Sequence, residues 1–351
     1  MRRVSLGIIG CGVIGQHHLR AALSSPLIDV VAIADLRQEA REETAARYNI
    51  SKVYAEGKEL IEDPCVEAVV LALPTCGRTE LALHAFARGK HVLTEKPVAM
   101  NADEVRRMIA ARGDLIAGCC SSRYRFLPSA KVVTDFIATG ALGELRVIRA
   151  RVIDAASEPP KTPPPPWRLS KALNGGGILM NWGCYDLDYL LGITGWQLRP
   201  RLVLGQTWTV APHLAARAAP GSDAESHVAA LILCDGGAVI TYERGEFVAA
   251  QSESAWQIIG SRGSLRLHML PGAGKTITYD ATTSEQGVIP RVLWQGEEDA
   301  DRVHTGPVQD FAAAILEGRP PMTTLEQALM IQQITDAVYA SAAAGTAIEV
   351  G

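Results

Sequence analysis

The first third of the chain repeats one pattern, a short apolar run followed by a helix-like stretch, and this repetition restricts the possible folds more than any other feature. Between Val4 and Cys120 the apolar runs are VSLGII, DVVAIA, EAVVLAL, KHVLT and DLIAGCC. Runs of this kind are typical of parallel strands that are buried on both faces of a sheet. The pattern therefore predicts an open parallel α/β sheet whose ligands bind at the carboxyl ends of the strands.

Composition excludes several functional classes. The chain has 34 Lys and Arg against 38 Asp and Glu, so it carries no basic surplus for a nucleic-acid partner. We see no apolar stretch of transmembrane length, and the N-terminal apolar run is interpreted as a strand and not as a signal peptide. The seven cysteines form no CxxC motif and no cluster with histidine. We therefore expect a cytoplasmic protein with no membrane partner, no disulfide framework and no metal site.

A glycine motif follows the first predicted strand. Gly10, Gly12 and Gly15 form GxGxxG before a helix predicted to begin near Val13, and Asp35 lies twenty residues after Gly15, at the end of the second predicted strand. In a Rossmann domain such glycines permit a tight turn, close approach of a pyrophosphate and close helix packing, while the carboxylate binds the adenosine ribose. The motif predicts a nicotinamide dinucleotide site formed by Gly10, Gly12, Val13, Ile14, Gly15, Asp35 and Arg37.

The choice between the two dinucleotides depends on Asp35 and Arg37. A carboxylate at Asp35 would repel a 2′-phosphate, so we expect NAD, although Arg37 could partly compensate and makes NADP possible. His17 and His18 follow on the first helix, and packing or capping is the expected role for both.

Beyond Arg123 the pattern changes and predicts a second domain. We expect helices over 127–139 and 178–191, a strand over 144–154, and two helices at the end of the chain, over 307–316 and 325–344. Further strand-like runs with short turns are LRPRLVLG, HVAALILC, AVITYE, WQIIG and SLRLHM. They favour a mostly antiparallel sheet. The predicted domains are residues 1–122 and 123–351, which agrees with the two domains typical of 351 residues.

A proline-rich stretch, Pro159 to Pro166, precedes Trp167. It has two interpretations, a connector between elements or a semi-rigid loop over the active site.

Four further segments extend the pattern: AVVLALPT, ARGKHVLTEKP, WRLSKALNGGGILMNWGCYDLDYLLG and DFAAAILEGRPPMTTLEQAL. With GxGxxG they make the chain resemble the glucose-fructose oxidoreductase and inositol dehydrogenase family (Gfo/Idh/MocA) over nearly its whole length. The resemblance implies an N-terminal Rossmann domain and a C-terminal α/β domain on an open, mostly antiparallel sheet. It also implies a homodimer or homotetramer and a small-molecule sugar or cyclitol substrate.

The resemblance also implies roles for individual residues. Lys96 matches the catalytic lysine of EKP, Pro74, Thr75 and Glu95 match cofactor contacts, and Trp167 and Arg168 match a pair near the nicotinamide and substrate. The predicted substrate site comprises Lys96, Trp167, Arg168, Asn181, Tyr185 and Asp188.

Two positions depart from the usual family segment GGGxLxDxGxHxxD. Asn181 stands at the first Asp and Tyr185 at the His, whereas Asp188 matches the last Asp. Arg78 also stands where many members carry a His. An amide cannot accept a proton near neutral pH, which leaves Tyr185 and Lys96 as candidates. Of these we expect Tyr185 to transfer the proton, with Asn181 orienting a hydroxyl. Asp188 could bind a substrate hydroxyl or stabilise a helix contact.

The sequence favours an NAD(P)-dependent oxidoreductase acting on a secondary carbinol and leaves two alternatives open. One is a lyase or hydrolase that oxidises a glycoside transiently with bound NAD. The other is a non-catalytic dinucleotide sensor, suggested by Asn181 in place of a carboxylate. Lys96 together with Tyr185 argues against a sensor, because binding alone requires neither.

Overall fold

The computed structural model describes residues 2–158, 165–300 and 303–351. It divides into two compact units, one formed by Met1–Arg123 and Asp301–Gln332 and the other by Tyr124–Ala300 and Gln333–Gly351. Most of the proline-rich stretch, residues 159–164, lies outside the described residues, so both of its interpretations stay open. Within the described part of the chain, no helix combines the length and apolar composition needed to cross a bilayer.

The first unit contains a parallel six-stranded sheet in the order β3-β2-β1-β4-β5-β6. Its elements are β1 (Val4–Ile9), α1 (Val13–Leu23), β2 (Ile28–Ala34), α2 (Gln38–Tyr48), β3 (Lys52–Tyr54), α3 (Gly57–Glu62), β4 (Ala68–Leu71), α4 (Arg78–Ala87), β5 (His91–Thr94), α5 (Ala102–Arg112) and β6 (Ala117–Cys119). The predicted parallel sheet is confirmed. The sequence analysis missed β3, which has only three residues, all partly exposed.

Both faces of this sheet are buried, and β4 illustrates how. Ala68 and Val70 belong to one apolar core, whereas Val69 and Leu71 belong to the other. The first core includes Leu19 of α1, and the second includes Phe86 of α4. A strand covered on both faces needs apolar side chains at every position, which explains the continuous apolar runs in the sequence.

The second unit is built on a nine-stranded sheet in the order β14-β13-β12-β11-β7-β10-β9-β8-β15, whose only parallel pair among the described strands is β7 with β10. Its strands are β7 (Leu145–Ala155), β8 (Pro200–Trp208), β9 (His227–Cys234), β10 (Val239–Val248), β11 (Glu253–Gly260), β12 (Gly263–Leu267), β13 (Lys275–Thr283), β14 (Gly287–Gly296) and β15 (Ile348–Glu349). The mostly antiparallel sheet is confirmed. The sequence analysis missed β13 and β14; β14 is an edge strand, where its Pro290 is tolerated.

The remaining helices are α6 (Pro128–Ala138), α7 (Lys171–Asn174), α8 (Cys184–Ile193), α9 (Thr305–Glu317) and α10 (Leu325–Ala344). Of these, α6, α9 and α10 lie close to their predicted bounds, the helix predicted over 178–191 is a π-helix over Leu179–Gly183 followed by α8, and the short α7 was not predicted. The prediction placed all of 123–351 in one domain, whereas Asp301–Gln332 groups with the first unit. The reason is apolar packing: Val308, Phe311 and Ile315 of α9 share the core that contains Leu19 of α1.

Candidate active site

The glycine-rich loop between β1 and α1 has the geometry of a phosphate cradle. Gly10 has a φ of +103°, and a Cβ there would lie 2.2 Å from the carbonyl oxygen of Ala72. A Cβ on Gly15 would lie 1.8 Å from the carbonyl oxygen of Gly10, so both positions require glycine. A Cβ on Gly12 would meet no atom closer than Arg37 Nη2, at 3.9 Å. The loop is therefore tight where it meets the sheet and open at the N-terminus of α1, where an anionic pyrophosphate fits.

Asp35 is fixed against this loop. One carboxylate oxygen accepts the backbone N–H of Cys11 at 2.8 Å, and the other accepts the backbone N–H of Arg37 at 2.9 Å. The side chain of Arg37 is 67% exposed and its Nε lies 3.4 Å from the same carboxylate. Val13, at the start of α1, is also exposed. The predicted ribose carboxylate, Asp35, thus lies beside the predicted phosphate loop, and the exposed guanidinium of Arg37 is close to it.

The carboxyl ends of three adjacent strands carry the rest of the predicted cofactor site. The strands β1, β4 and β5 are neighbours in the sheet. They are followed by the glycine loop, by Pro74 and Thr75, and by Glu95 and Lys96, respectively. Because the strands are parallel, these segments share one edge of the sheet. The structure therefore brings together residues that lie up to 86 positions apart in the sequence, from Gly10 to Lys96.

Glu95 is buried and surrounded by cationic and polar groups of the first unit. Its Oε1 accepts from Arg123 Nη2 at 2.9 Å and lies 2.8 Å from His18 Nε2, while its Oε2 accepts the backbone N–H of Lys96 at 3.0 Å. Burial alone would raise the pKa of Glu95, but Arg123, His18 and the Lys96 ammonium outweigh it and hold that pKa well below its usual range. Glu95 is thus an ionised group that fixes the backbone at Lys96. His18 is buried, as packing requires, and its bond to Glu95 was not predicted.

The same cluster includes Cys120. Ligand-type atoms of His18, Glu95 and Cys120 lie within 4.8 Å of one another. Arg123 already pairs with the carboxylate, and burial followed by the charge of Glu95 raises the pKa of the Cys120 thiol. A neutral thiol beside a guanidinium is a poor cation site, because metal ligands must be deprotonated.

Arg78 is noted in the sequence as a departure from the family pattern, but its contacts were not predicted. It is 3% exposed, and its guanidinium donates to the backbone carbonyls of Glu95 and Pro97, and to that of Lys96 at 3.2 Å. It also donates to Thr75 Oγ1 at 2.8 Å. A planar guanidinium can bind several acceptors in fixed geometry, which an imidazole at this position cannot reproduce. The departure from the family's usual His marked this position in the sequence. Only the fold shows which groups the arginine binds.

We expect Arg78→Met to loosen the segment that carries Lys96. The change removes a donor shared by several buried carbonyl oxygens, so the free energy of unfolding should fall by about 2–4 kcal/mol, measured by urea denaturation. Arg88→Met, at an arginine 52% exposed and bonded to Glu62, should change it by less than about 0.5 kcal/mol. Equal stability of the two variants would contradict the bracing role.

Trp167 and Arg168 belong to the second unit, in a 3₁₀ turn over Pro166–Leu169. Trp167 is 39% exposed, so its ring is available for contact. Arg168 Nη2 donates to Oε2 of Glu246 on β10, a buried carboxylate that sequence reasoning did not identify. Burial raises the pKa of Glu246, although Arg168 and Arg244 oppose the shift.

Asn181 and Tyr185 lie on neighbouring helical segments of the same unit. Residues Leu179–Gly183 form a π-helix that leads into α8, and both side chains are buried. The Trp182 ring meets that of Tyr185 edge-on, with centroids 5.7 Å apart. A π-helix has wider turns than an α-helix, and such turns are frequent at functional sites. Tyr124 contacts Tyr185 from another side, at 5.2 Å.

The two carboxylates that follow on α8 form buried ion pairs. Asp188 is fully buried and accepts from Arg125 Nε at 2.7 Å. Asp186 accepts from Tyr242 Oη at 2.9 Å and from Arg244 Nη1 at 3.2 Å. Burial raises the pKa of Asp186 against the opposing effect of Arg244. For Asp188 this geometry favours the helix contact over the substrate contact, the two alternatives that the sequence left open.

The start of the π-helix is fixed by Glu225, another residue that sequence reasoning did not identify. Its carboxylate accepts the backbone N–H groups of Gly177 and Leu179 at 2.9 and 3.0 Å, and the hydroxyl of Tyr339 at 2.8 Å. A carboxylate in this place caps a helix N-terminus. It therefore positions the segment that carries Asn181.

Comparison with known proteins matches both parts of the chain to one family. Residues 4–114 match the GFO_IDH_MocA family, described as an oxidoreductase family with an NAD-binding Rossmann fold, and residues 131–266 match the GFO/IDH/MocA C-terminal domain. The solved levoglucosan dehydrogenase in complex with NADH and L-sorbose superposes with a TM-score of 0.86 over 100% of both chains. At 22% sequence identity, this likeness shows the fold.

Curated relatives share sequence with either part or all of the chain. A levoglucosan dehydrogenase from Pseudarthrobacter phenanthrenivorans is 28% identical over 55% of this chain and 52% of its own length, so the chain spans about half of that relative. A 1,5-anhydro-D-fructose reductase from Ensifer adhaerens is 27% identical over 98% of both chains. With both family domains matched in order, the chain belongs to the Gfo/Idh/MocA family of oxidoreductases with an NAD-binding Rossmann fold.

Proposed function

We propose that this protein is an NAD-dependent dehydrogenase or reductase that acts on a secondary carbinol of a sugar, a cyclitol or a sugar derivative. The observation that carries the proposal is the position of Lys96. It follows β5 at the sheet edge that also holds the glycine loop, and its backbone is fixed by Glu95 and Arg78. A dinucleotide-binding protein without catalysis would not need a lysine held in this way at the ligand edge of the sheet.

The proposed mechanism gives each predicted site residue a separate task. When bound, NAD supplies hydride chemistry at the nicotinamide. Lys96 orients the reacting hydroxyl and stabilises the alkoxide as it forms, because its ammonium charge favours the transition state over the ground state. In the direction of oxidation Tyr185, as the phenolate, accepts the hydroxyl proton and becomes a phenol, while Asn181 orients the hydroxyl by hydrogen bonding. Trp167 and Arg168 bind the remainder of the substrate.

The names of relatives support the proposed substrate class. The names of the two curated relatives, and the bound L-sorbose in the solved structure, refer to anhydrosugars or sugars. A screen of monosaccharides, inositols and anhydrosugars with NAD and NADP, read by absorbance of the reduced nicotinamide, tests the proposal. Net NADH formation supports it. Cleavage of a glycoside without net NADH would instead identify the lyase or hydrolase alternative, and binding without turnover would identify a sensor.

Cofactor preference should depend on Asp35. We expect Asp35→Ser to raise the NADP to NAD ratio of kcat/KM by about 10- to 100-fold, because it removes the charge that repels a 2′-phosphate and leaves Arg37 to pair with it. Asp29→Ser, a loss of charge at the exposed start of β2, is the matched control. An unchanged ratio in the Asp35 variant would show that the carboxylate does not contact the ribose.

The assembly and the location of the protein stay predictions. The sheet of the second unit exposes Leu204, Trp208 and Leu231 on its outer strands β8 and β9. An exposed apolar sheet face supports the predicted homodimer or homotetramer. The cytoplasmic location is predicted from the composition of the chain.

A further inference from the structure

The strand β10 contains an irregularity beside Glu246. Its pairing with β7 shifts register between Gly245 and Val248. Phe247, within this bulge, has a φ of +58°, a conformation that costs energy for a bulky side chain. Bulges re-aim side chains and are frequent next to active sites. The strained residue, Phe247, therefore directly follows Glu246.

The bulge presents Glu246 near the helical segment that carries Asn181 and Tyr185. Along β10, Tyr242 and Arg244 face α8, since both bond Asp186, and the guanidinium of Arg244 also lies 4.4 Å from the Trp182 ring. Glu246 is buried like Tyr242 and Arg244, and the Arg244 guanidinium acts to lower its pKa, so Glu246 lies close to this row.

Backbone contacts agree with this placement. The N–H of Glu246 donates to the carbonyl of Ser226 at 2.8 Å, and the preceding Glu225 accepts from the N–H of Ile178 at 2.9 Å. Two consecutive residues, Glu225 and Ser226, therefore link the backbone at Glu246 to the backbone at Ile178, where the helical segment begins. Arg168, from the 3₁₀ turn, bonds Glu246 Oε2.

The two carboxylate oxygens of Glu246 have different surroundings. Oε2 pairs with Arg168, whereas Oε1 is buried and has no hydrogen-bond partner among the described residues. A buried carboxylate oxygen without a donor is costly, so an ordered water or a ligand hydroxyl is expected to supply the missing hydrogen bond. The hydroxyl group of a polyol can donate this hydrogen bond. Asn181 is an amide, so Glu246 and not Asn181 offers a charged acceptor to the substrate.

We propose that Glu246 is a substrate-binding residue whose Oε1 accepts a hydroxyl of the polyol, while Arg168 holds the other oxygen. The inference rests on the proposed function and specifies its substrate: a ring with a second free hydroxyl besides the reacting carbinol. Glu246 acts in binding and orientation, whereas Lys96 and Tyr185 act at the reacting group.

Sugar binding to the NADH-loaded protein tests this assignment without turnover. Levoglucosan, L-sorbose and myo-inositol are titrated calorimetrically into the wild type, into Glu246→Gln and into Glu243→Gln. Glu243 is a matched control, because it lies on the same strand but faces the other side of the sheet, where it bonds Arg151. We expect Glu246→Gln to weaken sugar binding by about 10- to 100-fold, as for a hydrogen bond to a charged group, with NADH binding unchanged. Glu243→Gln should bind sugar as the wild type does.

A deoxy series separates contact from a merely structural role. Removing the hydroxyl that meets Glu246 should weaken binding to the wild type but not to Glu246→Gln, whereas a structural role would leave the same loss in both proteins. Unchanged sugar affinity in Glu246→Gln, beside a wild type that binds sugar, would overturn this assignment alone. If none of the three sugars binds the wild type and the substrate screen gives no NADH, the proposed function falls, and the role of Glu246 falls with it.

Discussion

Tyr185→Phe is expected to lower turnover by about two to four orders of magnitude, the range of general acid–base catalysis. The substitution deletes only the hydroxyl and keeps the ring, which packs edge-on against Tyr124 and Trp182. Because these ring contacts persist, the free energy of unfolding should change little, and a loss of turnover can be assigned to chemistry. The measurement is kcat over a range of pH with a substrate found in the screen.

The same helix offers a matched control. Tyr189 is also buried on α8 and also packs edge-on against a tryptophan, Trp256, with centroids 5.8 Å apart. Tyr189→Phe makes the same chemical change away from the proposed reacting group, so turnover should stay within about twofold of the wild type. A Tyr185→Phe enzyme with the same rate and pH profile as Tyr189→Phe would transfer the base role to Lys96 or to water.

Lys96→Met should lower kcat by about two to three orders of magnitude while NAD still binds. The methionine fills similar space but has no charge to stabilise the alkoxide, and this charge matters more in the transition state than in the ground state. The backbone N–H of residue 96 still donates to Glu95, and the carbonyl still accepts from Arg78, so the segment keeps its conformation. Stopped-flow single turnover and NAD titration separate the two effects.

Lys58→Met, at an exposed lysine of α3, controls for the loss of one positive charge from the first unit. It should leave both kcat and NAD affinity unchanged. If Lys96→Met weakens NAD binding but reaches the wild-type rate at saturation, Lys96 is a cofactor ligand and not a catalytic residue.

The sequence by itself determined the local elements and the cofactor loop. Apolar runs located five strands of the first sheet because strands buried on both faces leave a continuous signal. GxGxxG located the loop because its glycines are required locally: the φ of Gly10 and the contact of Gly15 with Gly10 involve residues five apart. Asp35 followed from its position at the end of the second strand. These features depend on neighbours in the chain, so a linear pattern can reveal them.

Only the tertiary structure decided which distant groups complete the sites. Arg78 meets the carbonyls of Glu95 and Pro97, and Glu246 meets Arg168, 78 residues earlier in the chain. Likewise α9 packs into the first unit, although nearly two hundred residues separate it from β6. A buried charge is stable only when it is paired. Because its partner lies on another element of the fold, the pair leaves no periodic signal in the sequence. A linear pattern shows the arginine or the carboxylate, and the fold supplies the partner that gives it a role.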